Sequence, residues 1–369
     1  MTATTALTPR QITAIGEELD AIRADVLASR GAADAAYIRK VIKVQRGLEA
    51  GGRASLLVSL FPPAWLAGTA MLSTAKILEN MEIGHNVLHG QWDWMKDPDI
   101  SSTTWEWDAI TPAAAWKHTH NDVHHTWTNV VGKDRDVGYT MLRTSPDQPW
   151  KLKNLGNPLY NAVLAPFFEW GIAAYDLEVD QVWAGKKSKR ALWGDLKGVA
   201  RKAGRQLLKD YVATPLLAGP SALPALAGTF TANTARNLWS HAVIFCGHFP
   251  DGAETFSEEQ IEGETRGDWY VRQLLGSANL DGGPLFHLMT GNLSFQIEHH
   301  LFPDLPSNRY AEIAPRVRAL CERYGLPYTT GPLSTQLRST WSRLFVLALP
   351  GRTTEPVDAP VQEQIRAAA

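Results

Sequence analysis

Uncharged apolar windows with short interruptions set the pattern of this chain. Residues 54–75 and 211–235 contain no charged side chain, and each window is about as long as the roughly 20 residues that span a bilayer. Pro62 and Pro63 interrupt the first window, and a Gly/Pro-rich stretch at 219–224 interrupts the second. Since proline and glycine mark turns, we predict two helical hairpins, each with its turn inside an uncharged window.

Two further stretches predict amphipathic helices. Near the N-terminus, apolar residues recur at three- and four-residue intervals, at positions 12, 15, 19, 22 and 26. Thr8 is the predicted N-cap, Pro9 the first helical residue, and Gly31 lies beyond the end. Residues 160–175 are apolar except for Glu169, and we predict an interfacial helix there on the cytosolic face.

Basic residues precede both hairpins, over 40–53 and 186–205. By the positive-inside rule, both hairpins enter the membrane from the cytosol and return to it. We therefore expect an all-α integral protein of the cell membrane, with multiple passes arranged as two transmembrane hairpins and with a cytosolic helical cap. Each window is long enough for one crossing rather than two, so a single kinked span in each window is the alternative topology.

Three regions are expected along the chain. Residues 1–50 form an N-terminal cytosolic helical region, residues 51–332 the membrane domain, and residues 333–369 a C-terminal tail. The end of that tail is rich in proline, alanine and polar residues, a composition typical of disorder.

Composition excludes several classes of protein. The chain has 369 residues and a formal net charge of −2, so nothing indicates a nucleic-acid partner. Cys246 and Cys321 are the two cysteines, and they form no CxxC pair, which leaves no disulfide framework, zinc ribbon or iron–sulfur site. The N-terminus shows no signal-peptide pattern. These features fit a protein that faces a reducing cytosol.

Three compact histidine clusters carry the candidate chemistry. Histidines four residues apart share one face of a helix, and adjacent histidines let one turn serve two metals. Seven imidazoles are too many for one zinc ion, but they suit a pair of iron ions. The chain has eleven histidines, and seven of them lie in three short sequence windows: His85 and His89, then His120, His124 and His125, then His299 and His300.

Other metal sites fit this pattern less well. The HExxH motif of zinc proteases is not present in the sequence. Soluble di-iron carboxylate proteins use two Glu-x-x-His motifs and two further glutamates, whereas Glu82 to His85 is the single such motif here. A haem held between two histidines would not need adjacent pairs.

The order and spacing of these clusters resemble the three histidine boxes of the membrane fatty acid desaturases, written HxxxH, HxxxHH and QxxHH. The resemblance covers roughly residues 39–332. Two flanking stretches, 84–94 and 242–250, look like a bacterial group described as NADPH-dependent stearoyl-CoA Δ9-desaturases. Since QxxHH is also the form seen in front-end desaturases, a Δ6-type enzyme is an alternative.

The resemblance implies that the seven box histidines bind two iron ions, as Fe²⁺ or Fe³⁺, and that the cytosolic cap holds this di-iron site. It also implies one more histidine ligand near the cytosolic end of the last membrane helix, where His241 and His248 compete. His241 ends an Asn-x-x-x-His element that begins at Asn237, which could bind a metal or orient its ligands. Gln296, which opens the third box, and Asn129 could do the same.

The implied activity is that of an O₂-dependent acyl desaturase, which inserts a cis double bond into a saturated acyl chain such as stearoyl-CoA. The sequence contains no haem-binding His-Pro-Gly-Gly motif and no nucleotide-binding glycine loop. Electrons are therefore expected from a separate NAD(P)H-dependent reductase or electron carrier, with membrane lipid as the surroundings. A membrane hydroxylase that uses the same histidines and a non-catalytic membrane carrier of metal or haem are the alternatives.

Several residues allow two interpretations. His118 could join the metal site, and His287 could orient a ligand or pack between helices. Asp134 and Asp136 could accept the second N–H of ligand imidazoles or could be solvated loop residues. Six tryptophans could wall an acyl tunnel or form an interfacial belt: Trp92, Trp94, Trp105, Trp107, Trp116 and Trp127. Three arginines could meet the phosphates of CoA or form a solvated face: Arg309, Arg316 and Arg318.

Overall fold

Helices account for most of residues 7–351, the part of the chain that the computed structural model describes. The first nine α-helices are α1 (Pro9–Ser29), α2 (Ala32–Leu56), α3 (Pro62–Leu78), α4 (Asn86–Leu88), α5 (Ala113–Trp116), α6 (His125–Trp127), α7 (Asn157–Leu164), α8 (Phe168–Asp176) and α9 (Val179–Trp183). The others are α10 (Lys189–Leu207), α11 (Thr214–Leu217), α12 (Ala222–His248), α13 (Arg266–Leu275), α14 (Pro284–Met289), α15 (Gln296–Leu301), α16 (Tyr310–Tyr324) and α17 (Leu333–Ala348).

Shorter elements connect these helices. Three π-helical segments join α-helices end to end: Glu79–His85, Lys117–His124 and Leu208–Ala213. Turns of 3₁₀ helix span Asp93–Met95, Val137–Thr140, Leu152–Gly156, Ala165–Phe167, Gly219–Ser221, Glu259–Ile261, Leu293–Phe295 and Ser307–Arg309. Two three-residue strands, β1 (Asn279–Asp281) and β2 (Thr330–Pro332), pair in parallel, with the first residues of the two strands opposite each other. The predicted all-α class is confirmed.

Helix α1 begins where the sequence predicts. Thr8 Oγ1 accepts the backbone N–H of Gln11 at 3.3 Å, and Gln11 Oε1 accepts the backbone N–H of Thr8 at 2.9 Å, which is a reciprocal capping box. Its buried face packs on α13 and α16 in the largest apolar core. Burial of each large aliphatic side chain contributes roughly 1.5–3 kcal/mol. That face consists of Ile15, Leu19, Ile22 and Val26.

Helices α2 and α3 form the first predicted hairpin. Pro62 is the first residue of α3 rather than part of the turn, which lies just before it. The two helices approach closely at a pair of glycines, since a Cβ on Gly52 would lie 2.9 Å from Leu72 N and 3.0 Å from Gly68 O. Because α2 extends to Leu56, it crosses the boundary that the sequence predicts at residue 50.

In the second hairpin, Leu208–Ala213 and α11 form the first arm and α12 forms the second. Its tip packs on the tip of the first hairpin, where Trp65 Nε1 donates to Pro224 O at 2.9 Å. A Cβ on Gly228 would lie 2.7 Å from Leu56 Cδ2, so a glycine again permits close packing. Within residues 7–351, no helix combines the length and the apolar character that a membrane crossing needs.

Residues 333–348, which belong to the predicted C-terminal tail, form helix α17. Its apolar face reaches the protein interior, because Leu344 packs in a cluster with Phe245 and Phe249. Trp150 Nε1 also donates to Ala348 O at 2.9 Å. The stretch with a composition typical of disorder lies almost wholly outside the described residues.

Candidate metal centre

π-Helical turns carry two of the three histidine boxes. The first box begins at His85, the last residue of Glu79–His85, and the second lies largely in Lys117–His124. The histidine spacing predicts α-helical turns at both boxes. The wider π-turns observed there change the direction of the side chains that follow them. At the first box, Gly84 permits close packing, because a Cβ there would lie 2.8 Å from Glu79 O and 3.0 Å from Trp107 Cβ.

The boxes converge into two groups of imidazoles. The ligand atoms of one group lie within 4.8 Å of one another, and this first cluster consists of His85, His89, His120 and His299. The same limit defines a second cluster of His124, His248 and His300. Each cluster therefore combines histidines from segments that are far apart in the sequence.

His125 lies between the two clusters. Its ring centroid is 4.6 Å from that of His89 in the first cluster and 4.4 Å from that of His300 in the second. Neither of its ring nitrogens has a hydrogen-bond partner among the described residues. All seven box histidines are thus brought together, as the sequence predicts, and His248 joins them.

Six of the eight histidines have a ring nitrogen without a hydrogen-bond partner among the described residues. Buried polar atoms in folded proteins nearly always have a hydrogen-bond partner, so this many orphans at one place indicate a ligand that binds them. His85 Nε2 and His299 Nε2 also face each other at 3.2 Å. Imidazole nitrogens suit iron and other first-row transition metals, so the donor set fits metal ions. Among the eight histidines brought together here, the ring nitrogens without a partner in residues 7–351 are His89 Nε2, His120 Nε2, His124 Nε2, both ring nitrogens of His125, His248 Nδ1 and His300 Nε2.

Electrostatics keep most of these imidazoles in the form that a metal needs. Burial lowers the pKa of His89, His125, His299 and His300 well below the usual value for histidine, so these rings are neutral and free to bind. His124 differs: burial also lowers its pKa, but the charges of nearby carboxylates outweigh burial and raise it to about 9.

The carboxylates next to His124 are Asp134 and Asp136. Asp134 Oδ2 lies 3.0 Å from His124 Nδ1 and also accepts the backbone N–H of Asn129 at 2.8 Å. Asp136 Oδ2 lies 3.8 Å from Nδ1 of both His124 and His120. Such carboxylates fix the tautomer and the orientation of metal-binding imidazoles, so the first of the two interpretations of these residues fits the geometry.

Two other partners of the box histidines were not anticipated from the sequence. Gln273 Oε1 lies 3.1 Å from His300 Nδ1, and Tyr310 Oη lies 3.3 Å from His299 Nδ1. Gln273 is on α13 and Tyr310 begins α16, and no motif marks either position. Their proximity to the clusters follows only from the packing of these helices.

His241 and His248, the two candidates for an additional ligand, lie in different places. His248 ends α12 inside the second cluster, whereas His241 lies outside both clusters, with Nε2 2.8 Å from Asn161 Oδ1. Asn237 is also away from the clusters, because its amide donates to Pro166 O at 2.8 Å. The Asn-x-x-x-His element thus stabilises contacts of α12 rather than joining the candidate centre.

The other amide candidates act as supports. The Gln296 side-chain amide lies 3.0 Å from His248 Nε2, in space that Gly247 leaves by having no Cβ. Asn129 Nδ2 donates to Glu254 O at 2.9 Å and to Gly276 O at 2.8 Å. Gln296 therefore orients a cluster imidazole, and Asn129 clamps the loop that follows the second box.

Two histidines and three arginines considered from the sequence lie elsewhere. His118 is exposed and 3.6 Å from Asp122, and His287 Nδ1 lies 2.7 Å from Ser294 Oγ, so neither reaches the clusters. Arg309 and Arg316 form ion pairs across to the first two helices. Arg318 lies over the ring of Tyr328, 4.9 Å from its centroid.

A cavity of about 70 Å³ opens beside the clusters. His85, His120 and His248 border it, and apolar side chains form much of the remaining wall. Of the six tryptophans considered from the sequence, Trp107 and Trp116 line this cavity. Trp116 also stacks on His120, with ring centroids 4.4 Å apart. The other apolar wall residues include Met81, Phe168, Ile172 and Ile244.

Charged groups also border this cavity. Arg236 and Glu169 form a buried ion pair at its wall. Asp176 accepts a hydrogen bond from Thr119 Oγ1 at 2.6 Å, and burial raises its pKa to about 7. Glu169 points inward to Arg236, and the apolar stretch around it has two faces, with Phe168 and Tyr175 buried and Val163 and Trp170 exposed.

A largely helical fold, two histidine clusters that could each hold a metal, and a mostly apolar cavity beside them define the class of this molecule. The family model "Fatty acid desaturase" matches residues 60–332. The chain belongs to the fatty acid desaturase family, and it is therefore an oxidoreductase of lipid metabolism.

Relatives from several branches support this membership. The chain is 53% identical to the NADPH-dependent stearoyl-CoA 9-desaturase of Mycobacterium tuberculosis, over 94% of this chain and 82% of that protein. It is 25% identical to the sn-1 linoleoyl-lipid 6-desaturase of Arthrospira platensis, over 71% of this chain and 72% of the relative. Identity to human fatty acid desaturase 3 is 26%, over 76% and 62% of the two chains.

Proposed function

We propose that the two clusters bind two iron ions and that the protein inserts a cis double bond into the acyl chain of a saturated acyl-CoA. The observation that carries this proposal is the convergence of eight histidines, six of them with an orphaned ring nitrogen, beside a largely apolar cavity. Two clusters suit two metals, and imidazole is a ligand that iron accepts. His125 lies between them and is available to either metal.

Stearoyl-CoA and the Δ9 position are the proposed substrate and site of desaturation. Their support is the M. tuberculosis relative, whose name states both and which shares 53% identity with this chain. The 6-desaturase relative is much more distant, at 25% identity. The proposal therefore favours Δ9 chemistry over the front-end alternative.

The cavity of about 70 Å³ offers room beside the clusters for part of an acyl chain. Trp107, Trp116 and Ile244 give it apolar walls, and His85 and His120 border it. Holding two neighbouring methylenes next to the metals supplies the proximity that the reaction needs, and the buried site keeps water away. The bound iron pair supplies the activation of O₂.

The overall reaction fixes the need for an electron donor. One O₂, two electrons and two protons combine with two hydrogens from the acyl chain to give a double bond and two waters. We propose that a separate NAD(P)H-dependent reductase or carrier delivers the electrons, in line with the NADPH dependence named for the M. tuberculosis relative. Purified protein with NADPH alone should form no product, and addition of a reductase should start turnover.

We also propose that the tips of the two hairpins insert into the cell membrane from the cytosolic side. The tips carry large apolar side chains that are exposed, among them Leu60 at 63% and Leu217 at 76%. Exposed apolar patches of this kind mark membrane or protein contacts. Helices α7 and α8 add Leu159, Val163 and Trp170, which supports the interfacial helix predicted around residues 160–175.

The test is the fatty acid profile of a host that expresses the chain with a suitable reductase, with double bonds located by mass spectrometry. A new Δ9 monoene is expected. It should disappear in His299→Ala, which removes a ligand from the first cluster, and persist in the matched control His118→Ala, whose side chain is exposed and outside the clusters. Iron content should fall in the first variant alone.

Other products would overturn parts of the proposal. A hydroxylated acyl chain would favour the hydroxylase, and a Δ6 product would favour the front-end desaturase. Bound iron without any lipid product would favour a carrier. An iron-replete, fully active His299→Ala protein would refute the assignment of the first cluster.

A further inference from the structure

Helix α10 lies on the protein surface and is anchored along one side. Ala203 packs against Ala173 of α8 and Ile110, and Gln206 Nε2 donates to Glu169 Oε2 at 3.3 Å. These contacts fix which face of the helix is turned inward. They also place α10 directly beside α8, which carries exposed Trp170.

The outward face of α10 has an apolar strip. Trp193 is 57% exposed and Leu196 is 39% exposed, and Ala200 and Leu207 follow at helical spacing on the same face. Leu208 continues this surface past the end of the helix. Exposure of a tryptophan and several leucines to water is unfavourable, so this strip is suited to contact with another apolar surface.

A basic row runs beside the strip. Arg190, Lys197, Arg201 and Arg205 are spaced seven, four and four residues apart and are all exposed, so they lie along one side of the helix. Within the described residues, none of the four lies within ion-pair distance of a carboxylate, in contrast to Lys202 on the inner face, which pairs with Glu106.

The helix has little negative charge to oppose this row. Asp195 is its one acidic residue, and its carboxylate lies 2.6 Å from Lys187 Nζ. The outward face is therefore apolar and basic without acidic neighbours of its own. That combination is typical of helices that lie in the headgroup layer of an anionic membrane.

We propose that α10 docks in the cytosolic headgroup layer and binds anionic lipid through Arg190, Lys197, Arg201 and Arg205, with Trp193 and Leu196 in the acyl boundary. A bilayer fits better than an acidic protein because the apolar surface continues along the chain. It passes through Leu208 to the exposed leucines of the second hairpin tip. The inference rests on the membrane insertion proposed above, and it adds a lipid preference that insertion alone does not require.

The experiment places an environment-sensitive fluorophore on a single introduced cysteine in the full-length protein. Cys246 and Cys321 are buried, so labelling is directed to the introduced site. Leu196→Cys reports on α10, Leu60→Cys on the hairpin tip, and Ala311→Cys on an exposed position of α16. Each labelled protein is placed in nanodiscs of phosphatidylcholine with or without phosphatidylglycerol, containing a lipid-borne nitroxide quencher.

At position 196 we expect quenching that increases with phosphatidylglycerol and decreases with salt. At position 60 quenching should not depend on lipid charge, and position 311 should stay unquenched. Lys197→Gln with Arg201→Gln should lower the ratio of docked to undocked helix by roughly fivefold for each lost charge. Arg10→Gln, an exposed basic change on α1, is the control and should leave the ratio unchanged.

Three outcomes would overturn the inference. Quenching at position 60 without quenching at position 196 would show inserted hairpins with an undocked α10, which separates this failure from failure of the membrane proposal. Equal quenching at position 196 in both lipid mixtures would remove the lipid preference. Protection of position 196 only when an electron-donor protein is added would assign the face to a protein partner.

Discussion

Replacement of Asp134 by asparagine tests whether the carboxylates around the second box prepare the clusters for metal. Asp134 accepts three N–H groups through its two oxygens: His124 at 3.0 Å, Asn129 at 2.8 Å and Asp136 at 2.9 Å. The residue is buried, with 4% of its surface exposed. An asparagine of the same shape has one acceptor oxygen and one donor nitrogen at this place.

Either orientation of the new amide loses contacts. With its oxygen toward His124, the NH₂ group faces the N–H of Asp136. With the amide turned over, the NH₂ group faces both His124 and Asn129. In both cases His124 loses a negatively charged partner that holds its proton on Nδ1 and leaves Nε2 free. Loss of such a partner typically weakens metal binding by about 10- to 100-fold, which corresponds to about 1.4–2.8 kcal/mol.

The assay is anaerobic competition for Fe²⁺ between the protein and a chelator of known affinity. Asp134→Asn should release iron at a chelator concentration about 10- to 100-fold lower than the wild type. Asp122→Asn is the matched control, because Asp122 is exposed and faces only the exposed His118. Wild-type iron affinity in a folded Asp134→Asn protein would refute the argument that this carboxylate orients a metal ligand.

The remaining predictions concern protons, ligand choice and packing. Nearby carboxylates raise the pKa of His124 to about 9, so its imidazole is protonated below that pH. Iron binding at pH 7 should therefore release a proton from His124, and iron affinity should fall as the pH is lowered. Calorimetry in buffers of different ionisation heat measures this proton release, and its absence would contradict the prediction. His248→Ala should lose about one of two irons by metal analysis, whereas His241→Ala should keep both; the reverse result would contradict the cluster assignment. Gly291→Ala should destabilise the protein by about 2–5 kcal/mol in denaturant unfolding, since a Cβ would lie 2.4 Å from Met81 O at a φ of +69°. Gly263→Ala has a φ of +72° and open space, so it should cost only about 1–2 kcal/mol; equal losses would refute the packing argument.

The sequence predicts those parts of the site whose residues lie close together along the chain. The three boxes and the two hairpins each occupy one compact window, so spacing alone identifies them. The choice between His241 and His248 could not be made in this way, because both lie on one face of α12 and seven residues is about two helical turns. The structure separates them, since only the last turn of α12 reaches the second cluster.

The parts that the sequence does not predict depend on contacts between distant segments. Gln273 and Tyr310 support His300 and His299 from other helices, and nothing in their local sequence differs from ordinary helix residues. Helix α17 lies in the region predicted as a C-terminal tail, and its contact with the interior through Leu344 is made with residues distant in the sequence. The sequence does not predict the π-helical turns either, because a four-residue histidine spacing is compatible with both an α-helix and a π-helix.

A polar clamp explains how the first and third boxes are held in register. Glu82 lies one turn before His85 and receives hydrogen bonds from Ser307 Oγ at 2.7 Å and Asn292 Nδ2 at 2.9 Å. These two donors flank the third box in the sequence. The clamp therefore fixes both ends of the segment that carries His299 onto the helix that carries His85. Because its members are buried and paired with one another, the first cluster can keep its geometry before any metal binds.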